Sequence, residues 1–291
     1  MYGRPANGGD DIAGYVHEVG TDVTEFKPGD RVAAFHNVDT PGPAFADYGL
    51  TPASLTFHIP KKTKFEEAAT IPLAAMTAAL GLYVSLGLPE PWKKPAPQAA
   101  ETPLLVYGGA TAVGAFAIKL AKKSGIHPII AVAGRGANMV ESLLDRSKGD
   151  TIVDYRNGHE ETVKGIKNAL GGKKLFYAFD AVTEHNSTEN IGQVLEAQGG
   201  KYTFLLPDGG KLTTGAETIR TVVYSAFAED EDFAHLMFKY MAKGLRDGWF
   251  SGHPYEVVPG GLNGVEQGLK DLKAGKVSAV KKVFNVGSTS S

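Results

Sequence analysis

The chain has 291 residues, with 30 lysines and arginines, 32 aspartates and glutamates, and no cysteine. A formal net charge of −2 provides no basic surface for nucleic acid or for an anionic membrane. The lack of cysteine excludes disulfides, thiolate zinc sites and cysteine nucleophiles, and it favours a cytoplasmic location.

The first 60 residues alternate short apolar runs with glycine and proline turns, which predicts β structure. The predicted strands are Ile12–Val19, Arg31–Phe35 and Ala44–Leu50. The polar, glycine-rich stretch Met1–Gly9 shows neither a strand nor a helix pattern, and we expect it to be an interior loop of a longer protein.

A mainly helical segment is predicted over 65–86, and part of it is uncharged enough to be compared with a membrane span. The uncharged stretch Ile71–Leu88 is interrupted by Pro72, Gly81 and Gly87, and much of it is alanine, so it is only weakly apolar. We therefore expect a buried helix rather than a membrane segment.

Beyond a proline-rich linker at 89–103, apolar strand patterns alternate with helical patterns. The predicted strands are Leu104–Tyr107, Ile129–Ala133, Thr151–Asp154, Phe176–Asp180, Lys201–Leu206 and Arg220–Tyr224. This alternation predicts an α/β fold with a doubly wound parallel sheet. Later elements are a helix over Asp232–Leu245, a helix around Gly264–Lys273 and a strand at Val280–Val286.

A run of small residues between the first of these strands and the next helix is the most informative motif of the chain. It reads Gly108-Gly109-Ala110-Thr111-Ala112-Val113-Gly114. A strand, a small-residue turn and a helix N-terminus together bind the pyrophosphate of a dinucleotide through backbone N–H groups. The same arrangement also occurs in α/β proteins that bind nothing at this position.

The residues after the second strand of this sheet bear on the choice of dinucleotide. NAD-binding units carry an acidic residue there to bind the ribose 2′-hydroxyl. The chain instead reads Gly134-Arg135-Gly136-Ala137, without an acid. Arg135 would favour a 2′-phosphate and hence NADPH, and the alternative is a solvated surface arginine.

Other chemistry-bearing patterns are weaker. Asp180 and Val182 close the fourth strand, where they would face the ligand crevice, although Asp180 could equally cap the following turn. No two of the eight histidines lie three to five residues apart, so we expect no metal site. No G-x-S-x-G motif is present, which argues against hydrolase chemistry.

Several motifs resemble those of the medium-chain dehydrogenase/reductase superfamily, in its zinc-independent quinone-reductase and fungal trans-acting enoyl-reductase-like branch. The segment Gly9–Gly20 resembles the family pattern G-x-[DE]-x-[AS]-G-x-V-x-x-V-G. Phe26–Val32 resembles F-x-x-G-D-R-V, and Val153–Arg156 resembles the D-Y-R region. The Thr111-Ala112 pair replaces the usual glycine pair of the phosphate turn, a variant similar to that of polyketide-associated enoyl reductases.

The resemblance implies two domains, with residues 75–245 forming a Rossmann cofactor-binding domain. Residues 1–74 and 246–291 would form a GroES-like catalytic domain that is truncated at its N-terminus. The implied NADPH-binding residues are Ala110, Thr111, Ala112, Val113, Gly134, Arg135, Gly136, Ala137, Tyr155 and Val182. Zinc-dependent relatives carry a histidine ligand where this chain has Asp10, so the resemblance implies catalysis without zinc.

The expected activity is hydride transfer from NADPH to the activated C=C bond of a small-molecule enoyl or enone substrate. Two alternatives remain at this point: a zinc-independent quinone reductase, and a non-catalytic NADPH-binding paralogue. The proton donor is not identified by the sequence. The resemblance also gives a homodimer and a polyketide-synthase partner as expectations.

Overall fold

The structure is a computed structural model, and it describes residues 8–37, 39–93, 102–207, 209–210 and 212–287. In this part of the chain the strands are β1 Asp11–Tyr15, β2 Arg31–Phe35, β3 Thr56–His58, β4 Leu104–Tyr107, β5 Ile129–Ala133, β6 Thr151–Asp154, β7 Tyr177–Asp180, β8 Lys201–Phe204, β9 Glu217–Arg220, β10 Tyr255–Val257 and β11 Lys281–Val283. The α-helices are α1 Phe65–Ala68, α2 Pro72–Ala79, α3 Ala112–Lys123, α4 Ala137–Glu141, α5 His159–Leu170, α6 Ser187–Gly192, α7 Glu231–Asp247 and α8 Val265–Lys273. The expected loop at 1–9 and the proline-rich linker lie largely outside the described residues.

The chain divides into two compact units. Unit 1 consists of residues 1–76 and 223–291, and unit 2 consists of residues 77–222. Unit 2 is thus one continuous stretch of chain, whereas unit 1 is assembled from both of its ends.

Unit 2 is built on a six-stranded parallel sheet with the order β6-β5-β4-β7-β8-β9. The residues of β4 and β5 are at most 2% exposed, which explains why these strands are apolar throughout rather than alternating. Strands β5 and β6 lie on one side of β4, and β7, β8 and β9 lie on its other side. Right-handed crossovers in these two directions place helices on both faces of the sheet. The predicted doubly wound parallel sheet is confirmed, and the predicted bounds of β4, β5 and β6 agree with the structure.

The sixth strand of the sheet is displaced from its predicted position. The sequence predicts it at Arg220–Tyr224, whereas β9 pairs with β8 over Glu217–Arg220. This edge strand is mostly exposed and polar, so it lacks the apolar signal of a central strand. Of the apolar residues that suggested a strand, Val223 and Tyr224 instead lie in a short 3₁₀-helix, Val223–Phe227, which belongs to unit 1.

Unit 1 contains the three-stranded antiparallel sheet β1-β2-β3 and the two-stranded parallel pair β10-β11. The predicted strand at Ala44–Leu50 is absent from the described structure and that prediction is wrong. Pro41 and Pro43 supply no N–H group, and the chain turns back on itself through a Leu50 N–H bond to the Gly42 carbonyl. The apolar residues of this segment therefore pack within a loop.

The structure moves one boundary of the expected domains. The prediction assigned the helix near residue 240 to the cofactor-binding domain, but α7 belongs to unit 1. Phe238 of α7 stacks on Phe57 of β3, with 4.9 Å between ring centroids. This aromatic contact packs α7 against the antiparallel sheet of the same unit.

The long apolar helical segment is the one stretch of the described residues with the length and composition of a membrane span. It extends over Phe65–Ser85 and ends in a short π-helix, Leu80–Ser85. Within its most apolar window, 78% is buried inside the protein, as predicted for a core helix.

Candidate functional site

The candidate site lies at the carboxyl ends of the parallel strands of unit 2. Backbone hydrogen bonds to the neighbouring strand β5 fix the turn after β4. Gly108 has a φ of +81°, and the N–H groups of Gly108 and Gly109 both donate to the Val132 carbonyl, at 3.0 and 2.9 Å. A side chain at Gly108 would disfavour this left-handed conformation. The turn therefore follows directly from the end of the strand.

The helix after the turn presents backbone N–H groups. Thr111 is its N-cap, and the Thr111 hydroxyl accepts a hydrogen bond of 3.0 Å from Gly114 N–H. The other first-turn donors, the N–H groups of Ala112 and Val113, have no acceptor among the described residues. The Thr111 hydroxyl thus accepts in the cap, and its own O–H hydrogen is not used by that bond.

Gly114 allows α3 to approach the turn closely. A Cβ atom at Gly114 would lie 2.2 Å from the Gly108 carbonyl oxygen and 3.0 Å from the Gly109 Cα. Only glycine fits between these backbone groups, and the helix N-terminus is thereby held against the end of β4. The two unsatisfied N–H groups, of Ala112 and Val113, lie next to a glycine turn that leaves room for a ligand. This arrangement fits the pyrophosphate of a dinucleotide.

The loop after β7 closes against the turn after β4. A Cβ atom at Gly108 would lie 2.7 Å from Val182 Cγ1, so Val182 covers the turn directly. The Asp180 carboxylate organises this loop by accepting hydrogen bonds from Val182 N–H at 3.0 Å and Thr183 N–H at 2.8 Å. Its second oxygen accepts from the hydroxyls of Ser187 and Tyr202.

Asp180 is fully buried, and burial raises the pKa of its carboxyl group, while these four hydrogen bonds oppose that effect. Asp180 therefore caps and holds the loop, which was one of the two interpretations of its position. Val182 is the residue of this strand end that faces the turn.

The loops after β5 and β6 also converge. A Cβ atom at Gly134 would lie 2.7 Å from Tyr155 Cε1, so the Tyr155 ring lies over Gly134. Arg135 is exposed, whereas Gly136 is buried and Ala137 begins α4. The structure thus brings together the ten residues predicted from the sequence, on four neighbouring strand ends.

The charges at the carboxyl ends of β5 and β6 agree with the prediction that no acidic residue is placed to bind a ribose 2′-hydroxyl. No acidic residue follows β5 before α4. The Asp154 carboxylate at the end of β6 is held by Arg156, with Nε bonds of 2.9 and 3.1 Å, and the Arg156 guanidinium lowers the pKa of Asp154. This acid is therefore paired with a positive charge.

His185 is a site residue that the sequence did not indicate. Its imidazole stacks on the Tyr155 ring, with 6.0 Å between centroids and an interplanar angle of 9°. It has a positive φ of 54° in the loop that Asp180 organises. A lone histidine in a loop carries no periodic signal, so only the fold reveals this contact.

Within the described ranges, no group of three or more His, Asp or Glu side chains is arranged to hold a metal ion. The expectation of zinc-independent activity therefore stays a prediction with a simple test. Prolonged treatment with a chelator should leave the rate unchanged, and elemental analysis should find well under one zinc per chain. A stoichiometric zinc whose removal stops turnover would contradict it.

Comparison with known proteins identifies the relatives of this chain. Residues 1–61 match the family model of the alcohol dehydrogenase GroES-like domain. The chain is 46% identical over 261 residues to the trans-enoyl reductase fsr4 of Gibberella fujikuroi, covering 89% of this chain and 77% of that protein. It is 33% identical over 308 residues to the trans-enoyl reductase resD of Aspergillus sclerotiorum, covering 96% and 85%.

Among solved structures, the fold is similar to that of an alcohol dehydrogenase superfamily protein from Novosphingobium aromaticivorans. The TM-score is 0.73 at 20% sequence identity, covering 93% of this chain and 78% of that chain. The expected fold class is therefore confirmed: a parallel Rossmann-like sheet together with a GroES-like β domain.

Proposed function

The chain belongs to the medium-chain dehydrogenase/reductase superfamily as an oxidoreductase of the enoyl-reductase type, and we propose that it reduces the activated C=C bond of an enoyl or enone substrate with NADPH. The family relationship supports a nicotinamide cofactor and a small-molecule substrate. The observation that carries the proposal is the cradle at Gly108–Gly114, whose free N–H groups fit a pyrophosphate.

The preference for NADPH rests on the end of β5. A 2′-phosphate there would meet the exposed Arg135 guanidinium and no acidic residue of the same loop. The Tyr155 ring, lying over Gly134, supplies an apolar wall beside this position. A guanidinium binds phosphate through charge-assisted hydrogen bonds that the 2′-hydroxyl of NADH does not match.

When bound, the cofactor supplies a hydride to the β-carbon of the substrate. The residues of unit 2 bind and orient it: the first turn of α3 holds the pyrophosphate, and Val182 limits the space above Gly108. We further propose that the substrate is an acyl chain carried by a polyketide-synthase partner, because the Thr111-Ala112 turn resembles that of polyketide-associated enoyl reductases. The names of the relatives, trans-enoyl reductases, agree with an enoyl substrate. A homodimer and a cytoplasmic location remain part of this proposal.

Replacement of Arg135 by alanine tests the choice of cofactor. One charge-assisted bond to phosphate contributes about 1.5–3 kcal/mol, so Arg135→Ala should weaken NADPH binding more than about tenfold and leave NADH binding nearly unchanged. Calorimetric titration with both cofactors measures this difference. Arg246→Ala, a change of the same kind at an exposed residue of unit 1, is the control. Equal losses for NADPH and NADH would overturn the role of Arg135.

A further inference from the structure

Two aromatic rings from separate strand ends meet at the carboxyl edge of the sheet in unit 2. Tyr155 directly follows β6, and His185 lies in the loop between β7 and α6. In the sheet order, β5 and β4 lie between β6 and β7. Because neighbouring strands are about 4.8 Å apart, the ends of β6 and β7 are about 14 Å apart. The ring pair therefore spans the ends of β5 and β4, where the phosphate turn and the predicted ribose site lie.

The two rings differ in how firmly they are held. They are parallel within 9°, with 6.0 Å between centroids, as in an offset aromatic stack. The Tyr155 ring also rests on Gly134, where an added Cβ atom would lie 2.7 Å from Tyr155 Cε1. The His185 side chain, in contrast, is 69% exposed. The imidazole is therefore accessible to a ligand, and the phenol supports it against the end of β5.

The backbone that carries His185 is strained. Thr183, His185 and Asn186 have positive φ angles of 54°, 54° and 59°. Residues other than glycine rarely adopt this left-handed region, and a β-branched threonine does so least readily. Strain of this kind persists where the surrounding structure enforces it, and it is concentrated at sites that hold ligands. Since a mostly exposed imidazole buries little surface, packing alone does not account for this loop.

The chemistry of a dinucleotide places its adenine beside this ring pair. The free N–H groups of Ala112 and Val113 fit the pyrophosphate, and Arg135 lies where a 2′-phosphate would be. One ribose carries both of these groups and the adenine, so the base must lie close to both positions. The Glu184 carboxylate, 3.9 Å from His185 Nε2, disfavours an anion at the imidazole. An uncharged base meets no such repulsion.

We propose that Tyr155 and His185 form an aromatic clasp for the adenine of the bound dinucleotide, with His185 as the residue on which the base stacks. Bases stack on aromatic side chains through their π-faces, without requiring a particular hydrogen-bond pattern. This inference rests on the proposed dinucleotide binding and adds a binding residue to it. Because NADPH and NADH share the adenine, the clasp holds both, whereas Arg135 distinguishes between them.

Replacement of His185 by asparagine removes the ring and keeps a residue that tolerates the left-handed backbone. His185→Asn should weaken binding of NADPH and of NADH by the same factor, about 5- to 100-fold, as expected for the loss of one stacked base. Calorimetric titration with both cofactors measures this. His17→Asn is the matched control, because His17 is also mostly exposed and its ring lies 4.8 Å from that of Tyr48 in unit 1.

A second variant separates the ring from the loop. His185→Phe keeps an aromatic face and should retain most of the affinity that His185→Asn loses. If both variants lose the same affinity, the loss comes from the loop rather than from stacking, and the proposal is overturned. Unchanged binding of both cofactors in His185→Asn would also overturn it, and so would a loss confined to NADPH.

A measurement without turnover completes the test. In proton NMR spectra, the imidazole Hε1 signal of His185 is identified by its absence in His185→Asn. Saturation with NADPH should move this signal upfield, because a stacked adenine imposes its ring current, and should leave the His17 signal in place. If NADPH binds and the His185 signal does not move, the clasp is wrong and the proposed function stands. If the wild-type protein binds neither NADPH nor NADH, the proposed function itself fails.

Discussion

Ala112→Asp is expected to abolish binding of the nicotinamide dinucleotide while the fold stays intact. Ala112 is the first residue of α3, beside the open N–H groups that would hold the pyrophosphate. Two negative charges about 4 Å apart repel each other by about 4 kcal/mol at an effective dielectric constant of about 20. That energy corresponds to a loss of about three orders of magnitude in affinity.

The same substitution should not unfold the protein, because a carboxylate in the first turn of a helix interacts favourably with its dipole. Ala112→Asn is the matched control, since asparagine adds nearly the same bulk without the charge. Calorimetric titration measures both affinities, and circular dichroism reports the fold. Unchanged affinity in Ala112→Asp would mean that the cofactor binds elsewhere.

Asp180→Ala should be among the most destabilising single substitutions in unit 2. The change leaves two backbone N–H groups and the hydroxyls of Ser187 and Tyr202 without their acceptor. Because unsatisfied buried donors cost about 1–3 kcal/mol each, and partial relaxation recovers some of this, we expect a loss of about 3–5 kcal/mol. Urea unfolding, combined with hydrogen exchange of the β7 and β8 amides, measures the loss and locates it.

Asp180→Asn should cost far less, since its amide oxygen still accepts from both backbone N–H groups. The pH dependence provides a second check. Burial raises the pKa of Asp180, so the native carboxyl releases its proton at higher pH than the unfolded one. The stability of the wild type relative to Asp180→Asn should therefore fall as pH rises from the ordinary carboxyl range through the raised pKa. Equal effects of both variants would contradict the capping role.

The sequence predicts the parallel sheet well because its central strands are uniformly apolar. Leu104–Tyr107 and Ile129–Ala133 are short apolar runs bounded by turn residues, which is typical of strands buried on both faces of a sheet. Edge elements are harder to predict. The exposed strand Glu217–Arg220 has no apolar face. The segment over 44–50 contains apolar residues typical of a strand, but it follows Pro41 and Pro43 and forms a loop.

The residues of the candidate site also differ in how well the sequence predicts them. Gly108, Gly114 and Arg135 can be predicted from the sequence because their proposed roles depend on local chain geometry or on a fixed distance from the turn. The contact of His185 with Tyr155 joins residues that follow two strands which are not neighbours in the sheet. No periodic pattern marks such a pair, and only strand order and loop closure reveal it.

The division of the chain into a continuous unit 2 and a split unit 1 has a consequence for biosynthesis. A ribosome completes residues 77–222 before it reaches α7, β10 or β11, so unit 2 can fold while the rest is still being made. The N-terminal sheet, in contrast, must wait for partners such as Lys281, which pairs with Asp11 across 270 positions. Nascent chains are therefore expected to carry the three-stranded sheet without its C-terminal partners for some time. We expect them to depend on chaperones during this interval.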